Sequence, residues 1–584
     1  MRIESIKSLM GVARGREPAD LAVVNAVLFN VFTTEIIPET TICVKDGRIA
    51  FVGKNPGGAI GETTEVIDAA GRTVIPGLID AHTHIAWLFA PGPFLDVAIS
   101  GGTTTIVTEI YEPYFVAGYA ATLELLESMT DQPVKIYTVA PAMVSASRRS
   151  RGIAPKDLER LLARDDVLGL GESYWQGVLQ DPDAYLPAFV QTLAARKTIE
   201  GHSAGANEKN LNAYAAAGIS SCHEPIQASE VLDRLRLGMH VMIREGSVRR
   251  ELEAVSKIVE AGVDLRRAVL VSDGISPEAV TADGYMEFIV QKAIKLGFAP
   301  ADAIRMATLN AAEHFGLDGL IGAIAPGRMA DMVIIPDLAV IRPEIVISNG
   351  RVIAENGKTL APARHHRFSE ACRQTIRLPE ALSPDAFAVR APGDGATADV
   401  NLIELITELV TRKRECRLPV INGNIVADSG NDICKIAAID RAVTPGEMFC
   451  GFIKGYGLKS GAVATSAAWD SADIIVIGTD DADMALAVNR IRELQGGIVA
   501  AENNEIRAEL PLPIFGVISD APADVIAGQT RHMGQVLKNM GVALSDPLLT
   551  LGTLTTAAIP FFRICEEGLY DFKSGATMGL IAGK

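Results

Sequence analysis

Residues 20 to 75 are short apolar runs alternating with polar residues, as in LAVVNAVLFNV and ETTICVKDGRIAFVG, punctuated by Asp-Gly and Gly-Gly pairs. That rhythm predicts short antiparallel strands joined by tight turns, one part of a small β-sandwich. It returns in GAIAPGRMADMVIIPD and PEIVISNGRVIAENGK, residues 322 to 358, so the two pieces are expected to complete one sheet system around an inserted domain. Between about Thr73 and Leu317 the period changes. Eight strand-like runs (TVIPGLIDAHTH, GTTTIVTE, VKIYTVAP, VLGLGE, KTIEGHS, ISSCHE, HVMIREG and AVLVSDG) alternate with amphipathic stretches of helix length such as ASEVLDRLRL. Such alternation predicts a parallel sheet of βα units, and eight units in about 245 residues fit a (β/α)8 barrel.

The expected class is therefore α/β, with a TIM-like barrel inserted in a β-sandwich. Its boundaries are expected at 1–73 for an N-terminal helix and the first sandwich piece, 74–317 for the barrel, and 318–365 for the second sandwich piece. A polar, basic and then Pro-rich linker should fill 366–395, and a C-terminal α/β or α+β domain 396–584.

Composition narrows the function. With 48% hydrophobic residues in a chain of 584, several cores can be buried. A net charge of -17 argues against a grip on nucleic acid phosphates or an anionic membrane, and leaves a small neutral substrate as the better fit. The seven cysteines contain no C-x-x-C pair, which suggests neither a disulfide framework nor a cysteine zinc site. No apolar stretch reaches the roughly 18 residues that span a bilayer, and the first residues lack the apolar run of a secretion signal, so a cytoplasmic location is expected.

Only nine histidines occur, and four fall at the C-terminal ends of expected barrel strands, the end on which this architecture builds active sites. His82 and His84 are spaced i, i+2, so both leave the same strand face. Glu172, His202, His223 and Asp273 end the fourth, fifth, sixth and eighth strands. Each alone is more often a capping or hydrogen-bonding residue. Four imidazoles and two carboxylates converging on one barrel mouth instead suit zinc, iron or manganese, and one bridging carboxylate suits two ions. Such ions make a nucleophilic hydroxide available near pH 7, and Asp273 is placed to serve as general base and then protonate a leaving group.

The ordered set PGLIDAHTH, GLGE, GHS, CHE and SDG resembles the amidohydrolase superfamily. The phrases GHSAGANEKNLNAYAAAGISSCHE, LRLGMHVMIREGS, GYGLKSGAVATSAAWDS, IIVIGTDDADMALAVNRI and AELPLPIFGVISD resemble its adenine deaminase branch across nearly the whole chain. The resemblance implies His82 and His84 on a first ion, Glu172 bridging, His202 and His223 on a second, and Asp273 as ligand and proton shuttle, with Glu172 and Asp273 carrying catalysis. It implies hydroxide attack on C6 of adenine, loss of ammonia to leave hypoxanthine, two divalent ions with manganese first and iron or zinc as alternatives, and a homodimer.

The family pattern is broken in four places. Ala86 stands where the pattern continues His-Ile-Glu, Thr108 to Tyr111 replace Asp-Pro-His-Glu, Gly274 takes the second of two Asp positions, and Trp469 replaces the His of His-Asp-Ser. Trp87, Glu109, Tyr111, Glu224 and Arg244 are the candidates for holding substrate, against packing for the aromatics, a solvated strand end for Glu109, and an Arg244–Glu245 ion pair. His240 and His314 read as structural. Deamination or ring opening of another heterocycle or cyclic amide, and metal or purine binding without turnover, stay open as alternatives.

Overall fold

The computed structural model describes residues 2–142, 145–149, 152–559 and 561–582. Ser150 and Arg151, in the basic run RSRG that reads as a loop, lie outside the described residues. After a helix at Ile3–Ala13, strands Leu21–Phe29, Ile36–Lys45, Arg48–Gly53, Glu65–Asp68 and Thr73–Pro76 join Met332–Ile335, Ile345–Ser348, Arg351–Glu355 and Lys358–Thr359 in one nine-stranded sheet. Tight turns at Asp46-Gly47 and Asn349-Gly350 place both residues at positive φ (50° and 72°, 52° and 75°), the geometry that matches strand twist in a two-residue hairpin. Met332–Ile335 runs antiparallel to Thr73–Pro76, which closes the sheet across the inserted chain.

The first expected barrel strand is in fact two strands. Thr73–Pro76 belongs to the sandwich sheet and Leu78–Thr83 to the barrel, so the chain changes sheet at Gly77 rather than after residue 73. A Cβ on Gly77 would stand 2.8 Å from Thr104 Cβ, so only glycine lets the backbone pass there.

The barrel strands are Leu78–Thr83, Thr103–Thr108, Lys135–Ala140, Val167–Tyr174, Thr198–His202, Ser221–Cys222, His240–Arg244 and Ala268–Val271. Successive neighbours pair in parallel within the first five and within the last three. Ser220 N donates to Ile199 O (2.9 Å) and Asp273 N to His82 O (3.0 Å), which closes the ring. Helices between the strands start where local chemistry directs. The Asn207 side chain accepts from Asn210 N to cap Glu208–Ala216, and Ser276 caps Pro277–Ala282 with proline at the first helical position.

The linker is packed, not loose. It carries helix Glu370–Arg373 and buries Phe368, Cys372, Ile376, Leu378 and Phe387, and Phe515 N donates to Cys372 O at 2.7 Å. Proline content there marks a fixed path over the surface of its neighbours. The C-terminal region is β-rich: a ten-stranded sheet, antiparallel apart from the pairing of Thr397–Leu405 with Met448–Lys454, and flanked by helices Asp481–Leu494 and Ala523–Asn539. Of the two classes expected for it, this is α+β. Strand Ile518–Ser519 pairs with Leu88–Phe89 at the barrel mouth, and one buried apolar cluster runs from barrel residues such as Ile243 to Ile475 and Leu551.

Candidate metal centre

Barrel geometry aims the donors inward at one end. His82 lies on the first strand and His84 just past its end, Glu172 and His202 lie on the fourth and fifth, His223 follows the sixth directly, and Asp273 stands two residues past the eighth. All six are buried. Glu172 Oε1 lies 3.2 Å from His82 Nε2, 3.3 Å from His84 Nε2 and 3.5 Å from His223 Nε2. Asp273 Oδ1 lies 3.2 Å from His82 Nε2 and 3.6 Å from His84 Nε2. Two groups of donors result, His82, His84, Glu172 and Asp273 in one and Glu172, His202 and His223 in the other. Glu172 belongs to both.

Below the cluster, Asp80 ties the first strand to the eighth. It accepts Ser272 Oγ and Tyr285 OH, each at 2.6 Å, and the backbone N–H groups of Ser272 and His82. Beside it, Arg244 Nη1 donates to Asp273 Oδ2 (2.8 Å) and Glu224 Oε1 (2.6 Å), and Glu251 grips the guanidinium through Nε and Nη2 at 2.8 and 2.9 Å. Such a fork fixes direction as well as charge.

Burial opposes the charge on Glu172 and Asp273, yet the neighbouring cations win and hold both carboxyls well below the usual range: the imidazoles for Glu172, Arg244 and then the imidazoles for Asp273. The same carboxylates push His82 up to about 10 against its burial, whereas burial and the charge on His82 push His223 down to about 3. Carboxylates this dry need cations. Nitrogen and oxygen donors in this ratio suit divalent transition metals, and the residues fit such ions.

The substrate candidates all come to this end. Glu224 Oε1 lies 3.1 Å from His202 Nε2, and the Tyr111 ring centroid 5.7 Å from that of His84. Trp87 packs edge-on against Trp469 with centroids 5.5 Å apart. Glu109 is not a solvated strand end. Its Oε1 accepts Glu172 N at 3.1 Å, Oε2 is buried without a donor among the described residues, and burial with the Glu172 charge pushes the carboxyl up to about 8. Nor does Arg244 pair with Glu245, which meets Lys292 Nζ at 2.8 Å instead, because the two side chains leave opposite strand faces. His314 sits away from the cluster, its Nε2 2.9 Å from Glu200 Oε2 and its ring centroid 4.5 Å from that of His240.

Four further residues reach the site: Glu112, Tyr174, Glu251 and Asp470. Glu112 closes a four-residue run that begins with Glu109, an acid at each end, which is the signal for it in the sequence, and burial pushes it up to about 7. Gly274 has φ 99°, and a Cβ there would lie 3.2 Å from Val248 Cγ2, so a second aspartate on this backbone would be strained.

The amidohydrolase family model matches residues 73–358, and the model of the adenine deaminase C-terminal domain matches residues 408–576. Among similar proteins, the adenine deaminase of Moorella thermoacetica is 36% identical over 589 residues, spanning 99% of this chain and 98% of that protein. That of Clostridium botulinum strain Langeland is 35% identical, spanning 97% and 96%. Adenine deaminase 3 of Rhizobium meliloti is 35% identical, spanning 96% of each.

Proposed function

The chain belongs to the adenine deaminases of the amidohydrolase superfamily and converts adenine to hypoxanthine and ammonia, and we propose that it does so with His82, His84, Glu172, His202, His223 and Asp273 holding two divalent ions. The position of Glu172 in both donor groups carries this reading, because one carboxylate facing four imidazoles is the arrangement a bridged pair requires. When bound, the ions supply Lewis acidity and a water acidic enough to be a nucleophile near neutral pH. Manganese leads among the candidates, with iron and zinc suited to the same donors.

The chain's own residues handle the proton. Asp273 is ionised at neutral pH because Arg244 and the imidazoles stabilise its charge. It accepts the proton released when water oxygen adds to C6 and returns it to the amino nitrogen, so the C6–N bond breaks and ammonia departs. Arg244 holds Asp273 and Glu224 in fixed relative positions, and Glu251 keeps the guanidinium from rotating away. Trp87, Tyr111 and Glu109 line the place of the base.

The test is direct: ammonia and hypoxanthine measured from adenine with protein loaded with manganese, iron or zinc. Equal amounts of the two products support the reading, and adenine left intact by metal-loaded protein would remove it.

A further inference from the structure

Asp470 belongs to the C-terminal domain, in the loop after strand Ala462–Thr465, yet its carboxylate stands at the barrel mouth. It is fully buried with φ 59°, a left-handed conformation that Asp and Asn tolerate best after glycine and that concentrates at functional positions. One oxygen, Oδ2, takes three donors: Tyr174 OH at 2.9 Å, Ala557 N at 3.0 Å and the Thr556 hydroxyl. The other, Oδ1, is buried with no donor among the described residues. A carboxylate oxygen in a dry site is costly when nothing donates to it. Three donors on Oδ2 fix where Oδ1 points, so Oδ1 is an acceptor oriented in advance for a group that no described residue supplies.

What surrounds it suits a flat heterocycle. The Trp469 ring lies 5.1 Å from His84, tilted by 35°, and Trp87 stands edge-on to it. Both indole N–H groups are buried without an acceptor among the described residues. A cavity of about 260 Å³ reaches Trp87, the outer member of this aromatic pair, from a rim at the exposed Arg531 and Ser545, passing Val248 and Leu549. Tyr174 OH links Asp470 to Glu172 Oε2 (3.4 Å), so Asp470 meets the cluster on the Tyr174 side, whereas Asp273 stands on the Arg244 side. With C6 of adenine presented to Asp273, the five-membered ring and its N–H extend away from the amine.

We propose that Asp470 Oδ1 accepts the five-membered-ring N–H of adenine, with Trp469 and Trp87 as the apolar wall beside the base, so that the C-terminal domain selects the unsubstituted base. This rests on the deaminase reading above and adds to it the residue that recognises the far edge of the substrate. A base methylated at N9 carries a methyl group in place of that N–H and has no proton to donate there.

The test measures kcat and KM for adenine and 9-methyladenine, with bound metal, in the wild-type protein and in Asp470→Asn. The three donors keep the amide oxygen at the Oδ2 position, so the amide N–H2 takes the place of Oδ1 and an acceptor becomes a donor. Asparagine also suits the left-handed backbone. Expected is a fall of about 10- to 100-fold in kcat/KM for adenine, mostly through KM, with an equal or larger loss of the preference for adenine over 9-methyladenine and unchanged metal content. An unchanged preference in an active variant overturns the assignment, as does a loss confined to kcat with altered metal content, which would make Asp470 a support for Tyr174 and Glu172. Because the preference is a ratio within one protein, partial misfolding cancels. Failure of the wild-type protein to deaminate adenine would instead remove the deaminase reading and this one with it.

Discussion

Asp273 has its two carboxylate oxygens committed to different partners, Oδ1 to His82 and His84 and Oδ2 to Arg244. Replacing it with asparagine keeps the shape and removes the proton acceptor. Asp273→Asn should lower kcat by about 10²- to 10⁴-fold with a smaller change in KM, measured by ammonia release at saturating metal. A variant as active as wild type would exclude Asp273 from proton transfer. The donors themselves were legible in the sequence because each ends a strand-like run, and strand ends of a barrel face one mouth. Glu112, Glu251 and Asp470 were not, because none ends a strand-like run: Glu112 sits in the first turn of helix Tyr111–Ser128 and the other two follow strands, and an acid there reads as solvated until its neighbours are known.

Glycines and buried acids set the terms for whole elements. Gly77 lets the chain pass from the sandwich to the barrel against Thr104. Gly77→Ala should overpack that crossing and destabilise the protein by about 1–3 kcal/mol, seen as a lower thermal midpoint, and an unchanged midpoint would show that the strands yield. Glu287 begins helix Met286–Lys295, where Oε1 accepts Tyr285 N at 3.1 Å while Oε2 is buried without a donor. Burial pushes its carboxyl up to about 7 from 4.5. The folded protein thus keeps a proton that the unfolded chain has lost between about pH 4.5 and 7, and this group's contribution to stability falls as pH rises through that window. Glu287→Gln should flatten that part of the curve of thermal midpoint against pH, and an unaltered slope would contradict the assignment. The eight barrel strands and the returning sandwich strands were readable because period and turn residues are local. The division at Gly77 and the packing of the linker were not, since an apolar run does not say which sheet it joins, and proline-rich chain reads as loose until its buried residues find their partners.

Across the molecule, barrel and C-terminal domain form one body at the mouth, where the pairing of Leu88–Phe89 with Ile518–Ser519 and the Trp469–His84 contact set the C-terminal domain over the metal cluster. Among the described residues no helix is long and apolar enough to cross a membrane, and the seven cysteines are free. The C-terminal domain was visible in the sequence as a compact unit, but its place over the site was not, because that depends on which surfaces meet. Deamination of adenine at two ions that share Glu172 is the central claim. Its most direct measurement is a metal titration of metal-free protein, following hypoxanthine formation against divalent ions bound per chain. Activity should rise until two ions are bound and then level, and Glu172→Gln should lose that second step. Full activity with one ion per chain, or a titration unaltered by Glu172→Gln, would contradict it.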